Sequence, residues 1–359
     1  MPLPGVPAPS PWLRLRRPGS LVLLALGAAG LLGGCAATPQ APGGGSAAEI
    51  GVYSGRHYNT DKQLYEAFTR RTGIRVKLLE AKDDALIERL RSEGRASPAD
   101  VLVLVDAARL DKAAAMGLFQ PTASSELLRD VPAHLRDGQG RWFGLTRRVR
   151  VVVVNPGRVR GETIRTYADL ARPELRGQLC LRDSRSVYNQ SLVADQLIQR
   201  GEAATTAWVK GMVANMRQPF FTSDIPLARA VARGDCGVGL VNSYYVARML
   251  AGQSGGEDRE LARRLRVIFP NPAHVNISGA GVTAASRHRE AATRLIAFLA
   301  SPSGGRGYAE ANNEYPLQGF GDNPILKGFG PFRADAVSAQ QMGARNRQAV
   351  ALMQSHGWR

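Results

Sequence analysis

Three places in the chain put phenol, imidazole and amide groups at turns or helix starts: His57-Tyr58, Tyr188-Asn189 and Tyr244-Tyr245. None of these turns needs an aromatic residue, and a tyrosine on a surface loop is costly unless its hydroxyl is used. Taken singly, each pair is more often packing than chemistry. Taken together they form a set of oxygen donors with one imidazole. Such a set could hold a hard cation once the phenol protons are displaced, or could stack and hydrogen-bond against an organic ligand.

Other chemistries find less support. There is no Gly-x-Ser-x-Gly elbow around Ser54 and no phosphate-cradling Gly-x-x-x-x-Gly-Lys. Asp83-Asp84 opens a helical stretch, where acids complement the helix dipole, so the pair reads as structural. Asp100 has no obvious carboxylate partner. His134, His288 and His356 lie in polar surroundings and read as surface residues, while His274 reads as support for a crossing strand. No nucleophile–base constellation emerges, so a binding protein is expected rather than an enzyme.

Composition narrows the class further. The 359 residues are 44% hydrophobic, enough for one large core or two ordinary ones. The formal charge of +17 comes from 47 Lys+Arg against 30 Asp+Glu, but the basic residues are mostly arginines dispersed among acids. Aromatics are only 6% and no basic stripe alternates with them, so nucleic acid is not an expected partner.

Arg14, Arg16 and Arg17 precede the apolar run from Leu21 to Leu32, then Gly33-Gly34-Cys35. That order is a basic region, a short apolar region and small residues at a cleavage point. Leu32-Gly33-Gly34-Cys35 also resembles a bacterial lipobox, in which the cysteine becomes the lipidated first residue. Residues 1–34 are therefore expected to be a signal peptide, and 35–48 a lipid-anchored flexible tether lacking anything to bury. The destination is the periplasm, with the membrane reached through the anchor. Cys180 and Cys236 are the remaining cysteines, and in an oxidising compartment an even pair favours a disulfide.

The elements that must position the tyrosines can be read from periodicity. Ile50 to Ser54 is a strand, Leu64, Tyr65 and Phe68 recur at helical spacing to a stop at Gly73, and Ile74, Val76 and Leu78 alternate as a strand. A second helix carries Leu86, Ile87 and Leu90, and Val101 to Val105 suits a strand covered on both faces. Short alternating units of this kind argue for a parallel α/β sheet. Right-handed crossovers then put His57 and Tyr58 at its carboxyl edge. The pattern restarts after the run Val149 to Val154, with helices expected at Ser191–Gln199, Ala203–Met216, Ile225–Arg233 and Tyr244–Leu250. A last strong helix is expected at Glu290–Leu299. Two lobes about a hinge follow: 49–148 with a return of chain at about 279–320, and 149–278, with 321–359 as a C-terminal helical extension.

Five segments carry a more specific resemblance: Tyr53 to Asp61, Ser97 to Val101, Tyr188 to Leu192, Asn242 to Tyr245 and His274 to Gly279. Over about residues 49 to 320 the chain resembles the periplasmic ferric-iron-binding proteins of ABC importers. The resemblance implies a type II periplasmic binding protein-like fold, two α/β lobes joined by hinge strands with an interlobe ligand cleft. It implies Fe3+ as the bound ligand, with Fe2+ as the alternative, and an ABC permease with its ATPase as partners of a monomer. Matched motif by motif, the metal ligands implied are His57 and Tyr58 from the first lobe and Tyr188, Tyr244 and Tyr245 from the second. Members that use a carboxylate ligand and a bound carbonate have a different loop where this chain has His-Tyr. Ferric iron is small, hard and triply charged, so oxygen donors suit it better than sulfur. Three phenolates neutralise it. A fourth leaves one negative charge that Arg148 or Arg248, standing where some relatives place such arginines, would offset. The remaining alternative keeps the fold and takes another small ligand, an organic ion or an iron chelate.

Overall fold

The computed structural model describes residues 49–56, 59–122, 124–217 and 219–359. The signal peptide, Cys35, the tether, and His57 with Tyr58 lie outside the described residues.

Strand β1 (Glu49–Ser54) is followed by helix α1 (Asn59–Thr72), β2 (Arg75–Glu80), α2 (Asp83–Glu93), β3 (Val101–Val105) and α3 (Ala107–Ala115). β1 pairs in parallel with β2 on one side and β3 on the other, as the alternating pattern predicts. After the short α4 (Ser125–Asp130), β4 runs from Phe143 to Val154, starting six residues before its apolar run. β5 (Leu179–Cys180), α5 (Val187–Asn215), α6 (Asp224–Arg233), β6 (Val238–Asn242), α7 (Ser243–Leu250), α8 (Asp258–Arg263) and β7 (Arg266–Ile268) follow. The chain then re-enters the sheet as β8 (Val275–Val282) and closes with α9 (Arg289–Ala300), α10 (Pro302–Glu310), α11 (Pro324–Gly328) and α12 (Ala339–Ser355).

The strand order is β2-β1-β3-β8-β4-β6-β5, with β7 added to β4. The sheet is mixed rather than parallel throughout, because β8 is antiparallel to both β3 and β4, and β4 is antiparallel to β6. One strand serves two neighbourhoods. Phe143 to Val149 of β4 pair with β8, and Arg150 to Val154 pair with β6.

Core packing explains the unbroken run of apolar residues in β4. Val152 and Val154 belong to one buried cluster, while Val149, Val151 and Val153 belong to another on the opposite face. A strand covered on both sides has no polar-facing positions to alternate. A third cluster holds β1, β3 and the glycine-rich end of β8. Helix α12 spans two of these cores, with Ala339 and Met342 in one and Ala349, Leu352 and Met353 in the other.

The two helices expected around residue 201 abut end to end as α5, interrupted at Gly201 with φ 77° and ψ 171°. That is a conformation open to glycine and costly for any residue with a Cβ. Cys180 and Cys236 are joined by a disulfide with Cα atoms 6.0 Å apart. Among the described residues, no helix is long and apolar enough to cross a membrane.

Candidate metal centre

Tyr188 is the second residue of α5, and Tyr244 and Tyr245 are the second and third residues of α7, which follows β6 without a loop. Two chain segments 56 residues apart thereby converge. The Tyr244 hydroxyl donates to the Tyr188 hydroxyl at 3.2 Å, and the rings of Tyr244 and Tyr245 lie 4.2 Å apart between centroids. All three tyrosines line one cavity of about 520 Å³, whose other walls include Arg56, Asp83, Arg109, Arg148, Arg248 and Glu314. Both tyrosine-bearing helices begin here, so the partial positive charge of each N-terminus lies on the tyrosine side.

Cations surround Tyr188. The guanidinium carbons of Arg148 and Arg182 are each 5.4 Å from its ring centroid and that of Arg150 is 5.9 Å away. Arg148 is buried and donates to the Ile277 carbonyl. Burial alone would weaken its charge, but Tyr188, then Tyr244, Glu314 and Asp106, outweigh that penalty and raise its pKa above the ordinary value. Burial also opposes the Arg182 charge, and Asp224 followed by the three tyrosines reverses the effect. The site is thus arranged to receive negative charge on phenol oxygens.

Arg150 is the residue the sequence reading did not single out. It is buried on β4 and donates to Asp224 of α6 at 2.8 Å, to Asn189 beside Tyr188 at 2.7 Å, and to Asn242 at the end of β6 at 3.4 Å. One guanidinium therefore holds the starts of three helices in register, which a planar fork of five donors can do and an ammonium cannot. The signal was present: Arg148 and Arg150 are two apart in a strand and so share a face.

Asp83 departs from its structural reading. It begins α2 as expected, yet its side chain is buried in the cavity wall, accepts from the Val105 amide at 3.1 Å and meets Arg109 at 3.1 Å. Burial pushes its pKa up to about 7 against the pull of Arg109, the Val105 amide and Arg148. Arg109 stays charged because Asp83, Asp84 and Asp106 together outweigh its own desolvation. A Cβ at Gly55, just past β1, would sit 1.7 Å from the Asp83 carboxylate, so any larger residue there would have to displace that side chain.

Arg248 lines the cavity as the sequence suggests, one turn beyond Tyr244. His57 and Tyr58 lie outside the described residues, and Arg56 precedes them. It is buried, donates to Asp61 at 2.9 Å and to Glu314 at 2.7 Å, and lies 4.1 Å from the Tyr308 ring centroid.

The model of the family "Bacterial extracellular solute-binding protein" matches residues 96–329. Iron uptake protein A1 of Synechocystis sp. is 42% identical over 337 residues, covering 92% of this chain and 93% of that protein. The major ferric iron-binding protein of Neisseria meningitidis serogroup B is 30% identical, covering 86% and 93%. Among solved structures, the Trichodesmium FutA protein in complex with iron and citrate ligands superposes with a TM-score of 0.83 at 41% identity, covering 87% of this chain and all of that one. An open conformation of ferric iron-binding protein A from Mannheimia haemolytica gives 0.81 at 32% identity, covering 87% and 99%.

Proposed function

The chain belongs to the bacterial extracellular solute-binding protein family, and from that premise we propose that it is the iron-capturing component of an ABC importer. It binds and delivers, and catalyses no reaction of its own. The observation that carries this reading is the 3.2 Å approach of the Tyr188 and Tyr244 hydroxyls inside an arginine-lined cavity. Two neighbouring oxygens around an octahedral ion held at roughly 2.1 Å stand about 3 Å apart. Two phenols at that spacing need only lose their protons to become adjacent ligands.

Ferric iron drives that loss, because its charge stabilises phenolate far better than a divalent ion does. Tyr188, Tyr244 and Tyr245 supply the ligands from the lobe of residues 149–278. Tyr58, with His57, supplies them from the lobe of residues 49–148 and 279–320. Arg148 and Arg248 offset the charge that a fourth phenolate adds. A ligand set divided between lobes gives the closed form ligation energy that the open form lacks. Closure therefore signals loading to the permease and its ATPase. The leader of residues 1–34 exports the chain, Cys35 carries the lipid that tethers it at the periplasmic membrane surface, and it works as a monomer.

Titrating metal-free protein with Fe3+ tests the reading. One equivalent should develop a visible phenolate-to-iron charge-transfer band that is absent from the Tyr188→Phe/Tyr244→Phe protein. A colourless one-to-one complex, or a band indifferent to both substitutions, overturns it.

A further inference from the structure

Three buried side chains from distant parts of the sequence meet at His274, which also lines a small cavity with Tyr188, Arg148 and Arg150. His274, immediately before β8, places Nδ1 3.9 Å from Asp195 of α5 and 3.7 Å from Asp335, which lies between α11 and α12. One donor atom from each of the three falls within 4.8 Å of the other two. All three side chains are at most 2% exposed. Among the described residues, neither ring nitrogen of His274 finds a hydrogen-bond partner. Among the described residues, no arginine or lysine forms an ion pair with Asp195 or Asp335.

We propose that Asp195, His274 and Asp335 form a second metal site, for a divalent first-row transition cation such as Zn2+, distinct from the tyrosine centre.

The spacing fits an ion better than hydrogen bonds. Separations of 3.7 and 3.9 Å exceed hydrogen-bond range. Two ligands of a tetrahedral ion held at roughly 2.1 Å lie about 3.4 Å apart, so a modest contraction completes the geometry. One imidazole with two carboxylates suits borderline divalent ions, while sulfur-seeking ions find no ligand here.

The protonation states agree. Burial, reinforced by Arg150 and Arg148, holds His274 at about 3, so the ring is neutral and keeps a lone pair for ligation. Burial raises the pKa of Asp195, and burial together with the neighbouring Asp195 charge raises that of Asp335, the direction expected of two close carboxylates. Both carboxylates are already oriented. Asp195 accepts from Gln196 and Gln199, and Asp335 accepts from the amides of Val275 and Val337. Outer hydrogen bonds of this kind are what aim carboxylate ligands. An ion here would staple α5, the entry to β8 and the segment leading into α12. Asp195 stands seven residues, two turns, beyond Tyr188 on α5.

The test uses the full chain carrying Tyr188→Phe/Tyr244→Phe, so that the tyrosine centre loses two of its ligands, unfolded with a chelator and refolded with Zn2+. The expected result is one Zn2+ per chain with imidazole scattering in X-ray absorption, and an affinity at least 100-fold weaker when Asp335→Asn is added. Asp335→Asn keeps the shape and removes a buried charge, so it should fold, with His274→Gln as the independent second variant. Failure to retain Zn2+, or retention equal in all three proteins, overturns the proposal.

Discussion

Arg56 Nε donates to Asp61 Oδ2 at 2.9 Å, closing a buried ion pair across the four residues that contain His57 and Tyr58. The same guanidinium reaches Glu314 at 2.7 Å and Ser278 at 3.0 Å, so Arg56 is anchored to the re-entering chain at both β8 and the turn after α10. Asn312 adds a 2.7 Å hydrogen bond to the second Asp61 oxygen. Arg56→Ala leaves two buried carboxylates without their cation, a loss that costs about 3–5 kcal/mol. Urea denaturation should show that cost. Arg56→Lys should recover only part of it, because one ammonium cannot serve Asp61 and Glu314 as a fork does.

Removing a phenol oxygen should hurt iron binding more than removing a neighbouring charge. Loss of an outer partner costs roughly 10–100-fold in metal affinity, which is the effect expected of Arg148→Gln. Tyr188→Phe and Tyr244→Phe delete ligands outright and should each exceed it in a competition titration against a chelator. Acidification should release iron from the native protein, since ligation displaces phenol protons.

Asp83 gives stability an unusual pH slope. Its native pKa of about 7 lies above the unfolded value near 4, so between the two the native state holds a proton that the unfolded state has lost. This contribution is therefore present at low pH and lost as pH rises from about 4 to 7, opposite to a carboxylate whose native pKa is lowered. At roughly 1.4 kcal/mol for each pKa unit the effect reaches at most about 4 kcal/mol. Asp83→Asn should flatten that part of the profile, read as urea midpoints at closely spaced pH values.

The Cys180–Cys236 bridge spans 56 residues and ties β5 to the approach to β6, beside the tyrosine-bearing helices. A loop of that length restricts the unfolded chain by about 4 kcal/mol. Cys180→Ser/Cys236→Ser protein should lose about that much in denaturant titration, and wild type measured with a reductant should match it.

Legibility in the sequence followed the range of the interactions involved. β1, β3, α2 and the run in β4 were visible because side-chain period reports local burial. Helix α12 was legible only as a helical extension, although it packs into two cores, since nothing local says which neighbour covers a helix. Separate helices at Ser191–Gln199 and Ala203–Met216 are legible, but that they abut as α5 depends on the dihedrals of Gly201. Asp83 reads as a helix start at either level. Its burial against Gly55 and Arg109 comes from β1 and α3, far away in sequence.

The types of the donors were written in the chain itself. His57-Tyr58, Tyr188 and Tyr244-Tyr245 read from the sequence as turn and helix-start positions, and oxygen-rich chemistry follows from residue type. The convergence of Tyr188 with Tyr244 was decided by packing. Tyr188 and Tyr244 meet at 3.2 Å because Arg150 on β4 holds Asn189, Asp224 and Asn242 together. The Asp195, His274 and Asp335 cluster likewise assembles only when three distant segments fold against one another. Periodicity encodes which face of an element is buried, but contacts between elements are fixed by the summed packing of the whole sheet and its covering helices.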